Sequence, residues 1–541
     1  MRHSLRVVLG LGLALSAAGC SDYLSGPGVA STSDPNNITT LTQPGPLYVS
    51  IQQAGPPQRQ GQLARIATEY TQQIAGVARQ QIGYDRYQVT NTDVDPYFGA
   101  VYGATNNLTG GGALLDIHKM IQLARKQNDS LFIGIGKVYE AMVMGFAADF
   151  WGDIPYREAA DSTIRTPHFD PQLQVYTDML AQLDSAINVY LPATGPTNAG
   201  PAATGTELVY LGANSSRLRT VYTEVAHSLK ARYFMHVAAA SVAGVTGAPP
   251  NAYQSALTEA GLGISSAADN FLWYADASTS GNNIWWQFNS ARTGDIAPGA
   301  AIVEIMKRRV KFPAPVEDSA RIKFFFTQTE DGSYYGHRPA GTTGMQTNGV
   351  INNGSGSPGG NFSEFASFID PTITDGSFRM GEITYAETQL IAAEAAWHLN
   401  GGGADPTVVI ATAQPFLNNA HADRTYGSQA FAGSAVGTPT ASLQNIIEEK
   451  YVQLFLNPEV WNDYKRTCLP SLAPVAAAGT NVPGPNPIPG RVPYGLTEID
   501  ANPNTPTTSS VGVTITSVSL NPNQPASCPL LNYTSSTPLG N

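Results

Sequence analysis

The sequence lacks the short motifs that mark most catalytic and metal-binding centres. It contains no Gly-x-Ser-x-Gly elbow, no His-Glu-x-x-His, no phosphate-binding glycine-rich loop with Lys-Ser or Lys-Thr, and no Cys-x-x-Cys. The eight histidines are scattered. His227 and His236, nine residues apart, do not share one face of a helix as metal ligands would. The sequence therefore predicts no cofactor, no metal and no enzymatic activity.

Cysteine is equally scarce, with three residues in a chain of 541. Beyond Cys20 only Cys468 and Cys528 remain. In an oxidising compartment two such residues can pair, so a Cys468–Cys528 disulfide is one interpretation. Two unpaired thiols are the alternative.

Charge is sparse and predominantly acidic, since only 13% of the residues are charged. Without the first nineteen residues, 28 basic residues remain against 41 acidic ones, a formal charge of −13. This balance disfavours nucleic acid as a partner. The abundance of Gly, Pro, Asn, Thr and Ser instead indicates an extracytoplasmic protein with long loops.

Hydrophobic runs long enough to span a bilayer are also missing. The apolar run VVLGLGLALSAA near the N-terminus is too short to cross a bilayer as a helix. The most apolar internal stretch, residues 131–150, is interrupted by Lys137, Glu140 and Asp149. It predicts a buried helix rather than a membrane span.

The N-terminus is a targeting segment. A basic start with Arg2 and Arg6 precedes the apolar run, which ends in Ala17-Ala18-Gly19-Cys20. This end resembles a bacterial lipobox, with Ala17 where leucine is usual, and predicts that Cys20 is acylated. An ordinary signal peptide cleaved near Ala18 is the alternative. The sequence thus divides into a signal peptide at 1–19, a lipid anchor and polar tether at 20–58, and one domain at 59–541.

Amphipathic or buried helices account for most of the domain, because apolar residues recur at intervals of three and four. The predicted helices lie at 64–81, 112–129, 131–150, 171–191, 219–240, 383–399 and 442–457. Small residues at helix crossings resemble tetratricopeptide-type packing, although no fixed period is visible. The predicted fold class is mostly α, with long irregular loops and little β structure.

The segment ADFWGDIPYREA at residues 148–159 places three carboxylates next to two large aromatic residues. Asp149, Asp153 and Glu158 could act as the paired acids of a glycosidase. The alternative is the end of a helix, with Gly152 as a turn residue and Pro155 enforcing an extended exit. No cleft is evident from the sequence, so the structural interpretation is favoured.

The same segment also resembles the D-x-x-G-D-I-P-Y-x-E-A signature of the SusD/RagB family of outer-membrane nutrient-binding lipoproteins. Further similarities follow in the family's order, and Asn504 lies near the end of the similar region. The similar segments are VAHSLKARYFMH at 225–236, RIKFFF at 321–326, YYGHRP at 334–339, the helix at 383–399, IIEEKYVQLFLNPEVWNDYKRTCLP at 446–470, and IPGRVPYGLTEIDANP at 488–503.

The resemblance implies a helical cell-surface lipoprotein of the outer membrane. Such a protein binds an oligosaccharide, peptide or similar nutrient and delivers it to a SusC-like TonB-dependent transporter, and it touches the membrane through its lipid anchor only. Two other functions stay open. One is a surface glycan hydrolase that uses Asp149, Asp153 and Glu158; the other is a helical-repeat scaffold for protein assembly without a small ligand.

Aromatic residues beside amides suggest where a sugar would bind, because rings stack on C–H faces while amides bond hydroxyl groups. We expect at least one of two adjacent tryptophans to be exposed. The candidate ligand-binding residues are Trp285, Trp286, Tyr84, Tyr87, Asn283 and Gln287, with Asn282 beside them.

Overall fold

The protein is described here by a computed structural model. The described residues are 43–506, except 104–113, 162, 312–318, 330–331, 338, 340–345, 348–349, 352–362, 367–368, 370–373, 403–404, 432–436 and 473–487. The chain divides into two units, Met1–Pro44 and Gly45–Asn541, and the fold below is that of the second. Cys20 and Cys528 lie outside the described residues.

Helices dominate the described part of the chain, as the sequence predicts. They are α1 (Gly45–Gln60), α2 (Gln62–Tyr70), α3 (Arg79–Asp85), α4 (Asn91–Tyr102), α5 (Leu114–Gln127), α6 (Ser130–Trp151), α7 (Gln172–Ser185), α8 (Pro201–Thr204), α9 (Ser215–Val242), α10 (Ala252–Leu262), α11 (Ile284–Ala291), α12 (Ala300–Lys311), α13 (Ser319–Phe325), α14 (Tyr385–Leu399), α15 (Pro406–Thr412), α16 (Gln414–Ala422), α17 (Leu443–Gln453), α18 (Glu459–Thr467) and α19 (Leu496–Ala501). A π-helical turn, Ala186–Tyr190, extends α7, and a 3₁₀ turn, Ala267–Asp269, follows α10.

The β structure consists of short antiparallel pairs. The strands are β1 (Ile74–Gly76), β2 (Phe271–Leu272), β3 (Ile296–Pro298), β4 (Gln346–Thr347), β5 (Val350–Ile351), β6 (Gly381–Ile383), β7 (Thr425–Tyr426) and β8 (Gln429–Ala430). They pair as β1–β3, β2–β6, β4–β5 and β7–β8. In the first pair Ile74 lies opposite Pro298. The pairs β1–β3 and β2–β6 join segments that are distant in sequence, whereas β4–β5 and β7–β8 are local hairpins.

Neighbouring helices pack in pairs around the core. Helix α5 packs on α6 and α6 on α7, while α9 packs on α10 and α14 on both α10 and α16. Only Asn128 and Asp129 connect α5 to α6, so these two helices run antiparallel. The predicted fold class, mostly α with helix pairs and little β, is confirmed.

Helix α6 forms the centre of this arrangement. Its apolar composition and length would also suit a membrane span, but residues 131–151 of the helix are all buried in the protein. Asp129 caps its N-terminus by accepting hydrogen bonds from the backbone amides of Leu131 and Phe132, at 3.1 and 3.3 Å. The prediction of a buried helix at 131–150 is confirmed.

Small residues let other elements approach α6 closely, as their positions in the sequence suggest. A Cβ on Gly145 would lie 2.2 Å from the hydroxyl oxygen of Tyr233, and one on Gly134 would lie 2.8 Å from Leu191. Both distances are well below van der Waals contact. Glycine is therefore required here by packing rather than by backbone conformation.

The helix predicted at 64–81 is interrupted. Helix α2 ends at Tyr70, the chain turns through Gln72 with a positive φ of 58°, and β1 follows before α3 begins. The turn is held from a distant part of the chain, because the side-chain amide of Gln73 donates to the carbonyl of Tyr451 at 2.7 Å. Such a tertiary contact overrides a local helical pattern.

Residues 45–58, which the sequence predicts to be part of the tether, belong instead to α1. Tyr48 and Ile51 of this helix are buried, and the Tyr48 hydroxyl donates to Glu207 at 2.8 Å. Pro56 and Pro57 lie inside the helix, where a sequence pattern indicates a break. The compact unit thus begins at Gly45 rather than at residue 59.

Candidate ligand-binding cleft

The two predicted tryptophans differ in their surroundings. Trp285 is fully buried in a core cluster that includes Ile74 and Met306. Its indole has no surface that a ligand could contact, so it is removed from the predicted site. Trp286 is half-buried, and its indole N–H donates to the carbonyl of Thr374 at 3.0 Å. The expectation that at least one of the pair is exposed is not met.

The neighbouring amides are engaged within the protein. Asn283 caps α11 by accepting hydrogen bonds from the amides of Trp285 and Trp286, and its own side-chain amide reaches the carbonyl of Phe378 at 3.1 Å. Asn282 donates to the carbonyl of Asp375 at 2.9 Å. Gln287 donates to the carbonyl of Asn282 at 2.7 Å and is half-buried. Asn282 and Asn283 are buried, and their side chains stabilise the protein's own backbone.

The predicted tyrosines also lie in the core. Tyr84 is buried, and its hydroxyl donates to Asp93 at 2.8 Å. Tyr87 is buried and packs edge-on against Tyr70, with 5.3 Å between the ring centroids. Neither ring presents a face for stacking. Among the predicted ligand residues, only Trp286 and Gln287 retain partly exposed side chains.

The three carboxylates of the hydrolase hypothesis are each held by hydrogen bonds within the protein. Asp149 is buried and accepts a hydrogen bond from the Tyr176 hydroxyl at 2.5 Å. Asp153 is buried and accepts one from the backbone amide of Gln172 at 2.8 Å. Glu158 is bonded to the backbone amide of His168 at 2.9 Å. These contacts fit the alternative interpretation of a helix end, because α6 ends at Trp151 and Gly152 has a positive φ of 79°.

A large open cleft of about 790 Å³ lies between α5, α6, α7 and the segment that follows α6. Helix α5 contributes a stripe of Leu115, His118, Gln122 and Arg125, which are spaced at three and four residues and so share one face. The opposite face of α5 is buried. The cleft volume is within the range of small-molecule sites.

The floor of the cleft is a hydrogen-bonded polar cluster. Glu140, only 3% exposed, accepts a hydrogen bond from the Tyr156 hydroxyl at 2.7 Å and lies 3.1 Å from Nε2 of His118. The side-chain amide of Gln182 donates to the same hydroxyl oxygen at 3.1 Å, and its carbonyl oxygen accepts from Lys137. Burial, followed by the charge of Glu140, raises the pKa of Tyr156. The hydroxyl therefore stays protonated and donates to Glu140.

One wall of the cleft is fixed by an arginine fork. Nε and Nη2 of Arg157 lie 2.8 and 2.9 Å from the two carboxylate oxygens of Asp178. Asp170 in turn accepts hydrogen bonds from the backbone amides of Tyr156 and Arg157. A bidentate pair of this kind fixes orientation as well as charge. The segment ADFWGDIPYREA thus ends a helix and also shapes the cleft.

The sequence alone does not identify the residues of α5 that line the cleft. The available signal was a polar stripe, His118, Gln122 and Arg125, opposite the buried Ile117 and Met120. The sequence does not show that Tyr156 and Gln182 close over this stripe. Within the described residues, no group of three or more His, Cys, Asp and Glu side chains is placed to hold a metal ion.

Comparison with known families decides the identity of the fold. The model of the SusD-like family, described as starch-binding and associating with the outer membrane, matches residues 35–495. The chain belongs to the SusD-like family. The SusD-like description supports a carbohydrate-binding role and association with the outer membrane, and it is a description of binding rather than catalysis. No curated protein sequence matches the chain.

Solved structures confirm the SusD-like fold. A chitin-binding protein superposes with a TM-score of 0.60 at 17% identity, covering 85% of this chain and 95% of the other. A SusD/RagB family protein from Bacteroides thetaiotaomicron gives 0.58 at 18% identity, with 85% and 95% covered. A SusD homologue from Bacteroides ovatus gives 0.57 at 19% identity, with 84% and 93% covered. At these identities the likeness shows the fold alone.

Proposed function

We propose that this protein is a cell-surface lipoprotein, anchored in the outer membrane through Cys20, that binds an oligosaccharide or similar nutrient. It delivers this ligand to a SusC-like TonB-dependent transporter and does not itself cleave it. The observation that carries the proposal is the SusD-like match over residues 35–495, with its description of starch binding at the outer membrane. The chitin-binding neighbour of similar fold agrees with a glycan ligand.

The large cleft between α5, α6 and α7 supplies a surface for such a ligand. Its polar floor offers donors and acceptors to hydroxyl groups, as sugar recognition requires. Trp286 and Gln287, which are half-buried, remain proposed contacts at a second surface. We also propose that the domain binds without hydrolysis, since Asp149, Asp153 and Glu158 do not line this cleft.

The experiment is a mild-detergent purification of the native lipoprotein from its outer membrane. We expect a β-barrel transporter to co-purify, with well over 2,000 Å² buried, which is the scale of permanent complexes. Recovery of the lipoprotein without a barrel would contradict delivery to such a partner. A glycan array with the soluble domain tests ligand binding independently.

The anchor is tested with a Cys20→Ser variant. We expect the variant to lose palmitate labelling and to leave the membrane fraction, because the thioether-linked lipid is its only membrane attachment. Matched expression of wild type provides the control. A Cys20→Ser protein that still labels and stays in the membrane would show that the anchor lies elsewhere.

A further inference from the structure

The cleft between α5, α6 and α7 reverses the charge balance of the protein. The chain as a whole carries 30 basic and 41 acidic residues. Basic side chains outnumber acidic ones in the cleft lining, which contains Lys119, Arg125, Lys137, Arg157, Glu140 and Asp178. A cluster of one sign within an oppositely charged protein indicates a ligand of the other sign.

The two acidic side chains of the cleft are already engaged. Asp178 is bonded through both of its oxygens to Arg157. Glu140 is bonded to Tyr156 and lies beside the ring of His118. Neither carboxylate is therefore positioned to neutralise the remaining cations by direct contact.

Three cations of the cleft have no carboxylate within ion-pair distance among the described residues. Nζ of Lys137 donates to the neutral amide of Gln182, and Nζ of Lys119 to the neutral amide of Gln122 at 3.2 Å. The guanidinium of Arg125 is exposed at the rim. An anionic ligand would supply the charge-assisted partners that the protein does not.

Lys137 is the most constrained of the three, because its side chain is only 9% exposed. Burial lowers the pKa of Lys137, with Glu140 opposing this and Arg125 adding to it. A carboxylate in the cleft would offset the unfavourable burial of the ammonium group. The charge of Lys137 is thus better stabilised with an anion bound than without one.

Resting on the proposed carbohydrate-binding function, we propose that this cleft takes an acidic oligosaccharide whose carboxylates pair with Lys119, Arg125 and Lys137. Lys119 and Arg125 are six residues apart on α5, about 9 Å along the helix axis. Cations spread in this way suit charges on successive sugars better than a single phosphate group, which requires donors that converge.

The rest of the lining suits a sugar chain. His118, Gln122 and Gln182 can exchange hydrogen bonds with hydroxyl groups, and the apolar Leu115 and Ala181 can contact C–H faces. The bidentate Arg157–Asp178 pair gives this wall a fixed shape. A polar ligand gains affinity from a rigid wall because less side-chain freedom is lost on binding.

The test is calorimetric titration of the full mature chain with three acidic tetrasaccharides, built from galacturonate, mannuronate or glucuronate. Methyl-esterified forms of the same sugars serve as neutral counterparts, since they keep the rings and replace each charged carboxylate by a neutral methyl ester. We expect at least one acidic form to bind tenfold or more tightly than its ester. Its affinity should fall as salt is raised.

Two substitutions on one helix form the matched pair. Arg125→Gln should weaken binding of the acidic sugar about tenfold, equivalent to about 1.4 kcal/mol. Lys126→Gln removes an equal charge from an exposed neighbour outside the cleft and should leave affinity unchanged. Both positions are exposed, so circular dichroism should be that of wild type. An equal loss in both variants would reduce the effect to overall charge and overturn the proposal.

Failure of this inference can be distinguished from failure of the proposed function. If acid and ester bind equally, or if only neutral glycans on an array bind, the protein remains a glycan-binding protein and the acidic ligand is refuted. If no saccharide of either kind binds the wild type, both proposals fail together.

Discussion

Nε2 of His236 lies 2.8 Å from Oε1 of Glu459, although the two residues are 223 positions apart. On the other side of the ring, Nδ1 lies 3.1 Å from Asp149. Burial by itself lowers the pKa of His236, but the charges of Glu459 and Asp149 outweigh it and raise the pKa to about 9. The imidazole is therefore charged at neutral pH and links α9 to both α18 and α6.

This ion cluster predicts a pH-dependent stability. The pKa of His236 is about 9 in the folded protein against 6.5 for an unperturbed histidine, so the folded state binds more protons between these values. The stabilisation is fully present below pH 6.5 and is lost as pH rises through 9. We expect the difference in unfolding free energy between wild type and His236→Gln to shrink by about 3 kcal/mol over this range.

Urea denaturation at several pH values measures this difference. His168→Gln is the control, because its side chain is 76% exposed and exposed ion pairs contribute little to stability. A constant difference between wild type and His236→Gln from neutral to alkaline pH would show that this histidine is not charged in the folded state.

The contact between Gly145 and Tyr233 predicts a steric effect. The Tyr233 hydroxyl donates to the carbonyl of Ala141 at 2.7 Å, and a Cβ on Gly145 would lie 2.2 Å from the hydroxyl oxygen. Gly145→Ala should therefore lower the unfolding free energy by about 1–3 kcal/mol.

The matched control is Gly261→Ala in α10, where a Cβ would meet nothing within 4 Å. Alanine is the better helix former, so this change should raise the unfolding free energy by about 0.5–1 kcal/mol. The opposite signs separate packing from helix propensity. Equal effects of the two substitutions in a urea titration would contradict the close contact at Gly145.

Local features of the sequence predicted the helical fold well. The apolar stretch at 131–150, its small residues and the Gly152 turn all reflect interactions within one segment or between adjacent helices, and each is found in the structure. The tether boundary and the helix at 64–81 differ in the structure from what the sequence predicts. There the outcome depends on contacts from distant segments, such as Glu207 with Tyr48 and Tyr451 with Gln73.

The candidate site was less predictable, because the exposure of a side chain depends on what covers it. Asn283 and Trp285 have the composition of a sugar-binding loop, yet they form the first turn of α11, which segments near residue 378 cover. The cleft shows the opposite case, because its residues line an open surface in the structure but form no sugar-binding pattern in the sequence. No motif in the sequence links His118, Glu140, Tyr156 and Gln182, which meet only after α5, α6 and α7 have packed.

Cys468 is disulfide-bonded, and both other cysteines, Cys20 and Cys528, lie outside the described residues. The pairing with Cys528 stays a prediction. Closing a loop of about sixty residues would stabilise the fold by roughly 4 kcal/mol in the chain-entropy model. Peptide mapping of the native protein under non-reducing alkylation should recover the Cys468–Cys528 pair. Recovery of Cys468 as a free, alkylated thiol would refute it.

Replacing each of the two adjacent tryptophans by alanine should change the unfolding free energy by different amounts. Trp285 is fully buried among core side chains, so Trp285→Ala should lower the unfolding free energy by about 3–5 kcal/mol. Trp286 is half-buried and covers the backbone at Gly376, so its replacement should cost less and preserve the helical circular dichroism signal. Equal losses of stability in both variants would place both rings in the core.

The ligand role predicted for this pair now rests on Trp286. If its accessible face stacks on a sugar, Trp286→Ala should weaken glycan binding about thirtyfold, close to 2 kcal/mol, as for other exposed aromatic anchors. Calorimetry with a glycan that wild type binds gives the readout, and Trp285→Phe, which keeps a large ring in the core, is the control. Unchanged affinity in a folded Trp286→Ala protein would exclude this residue from the ligand surface.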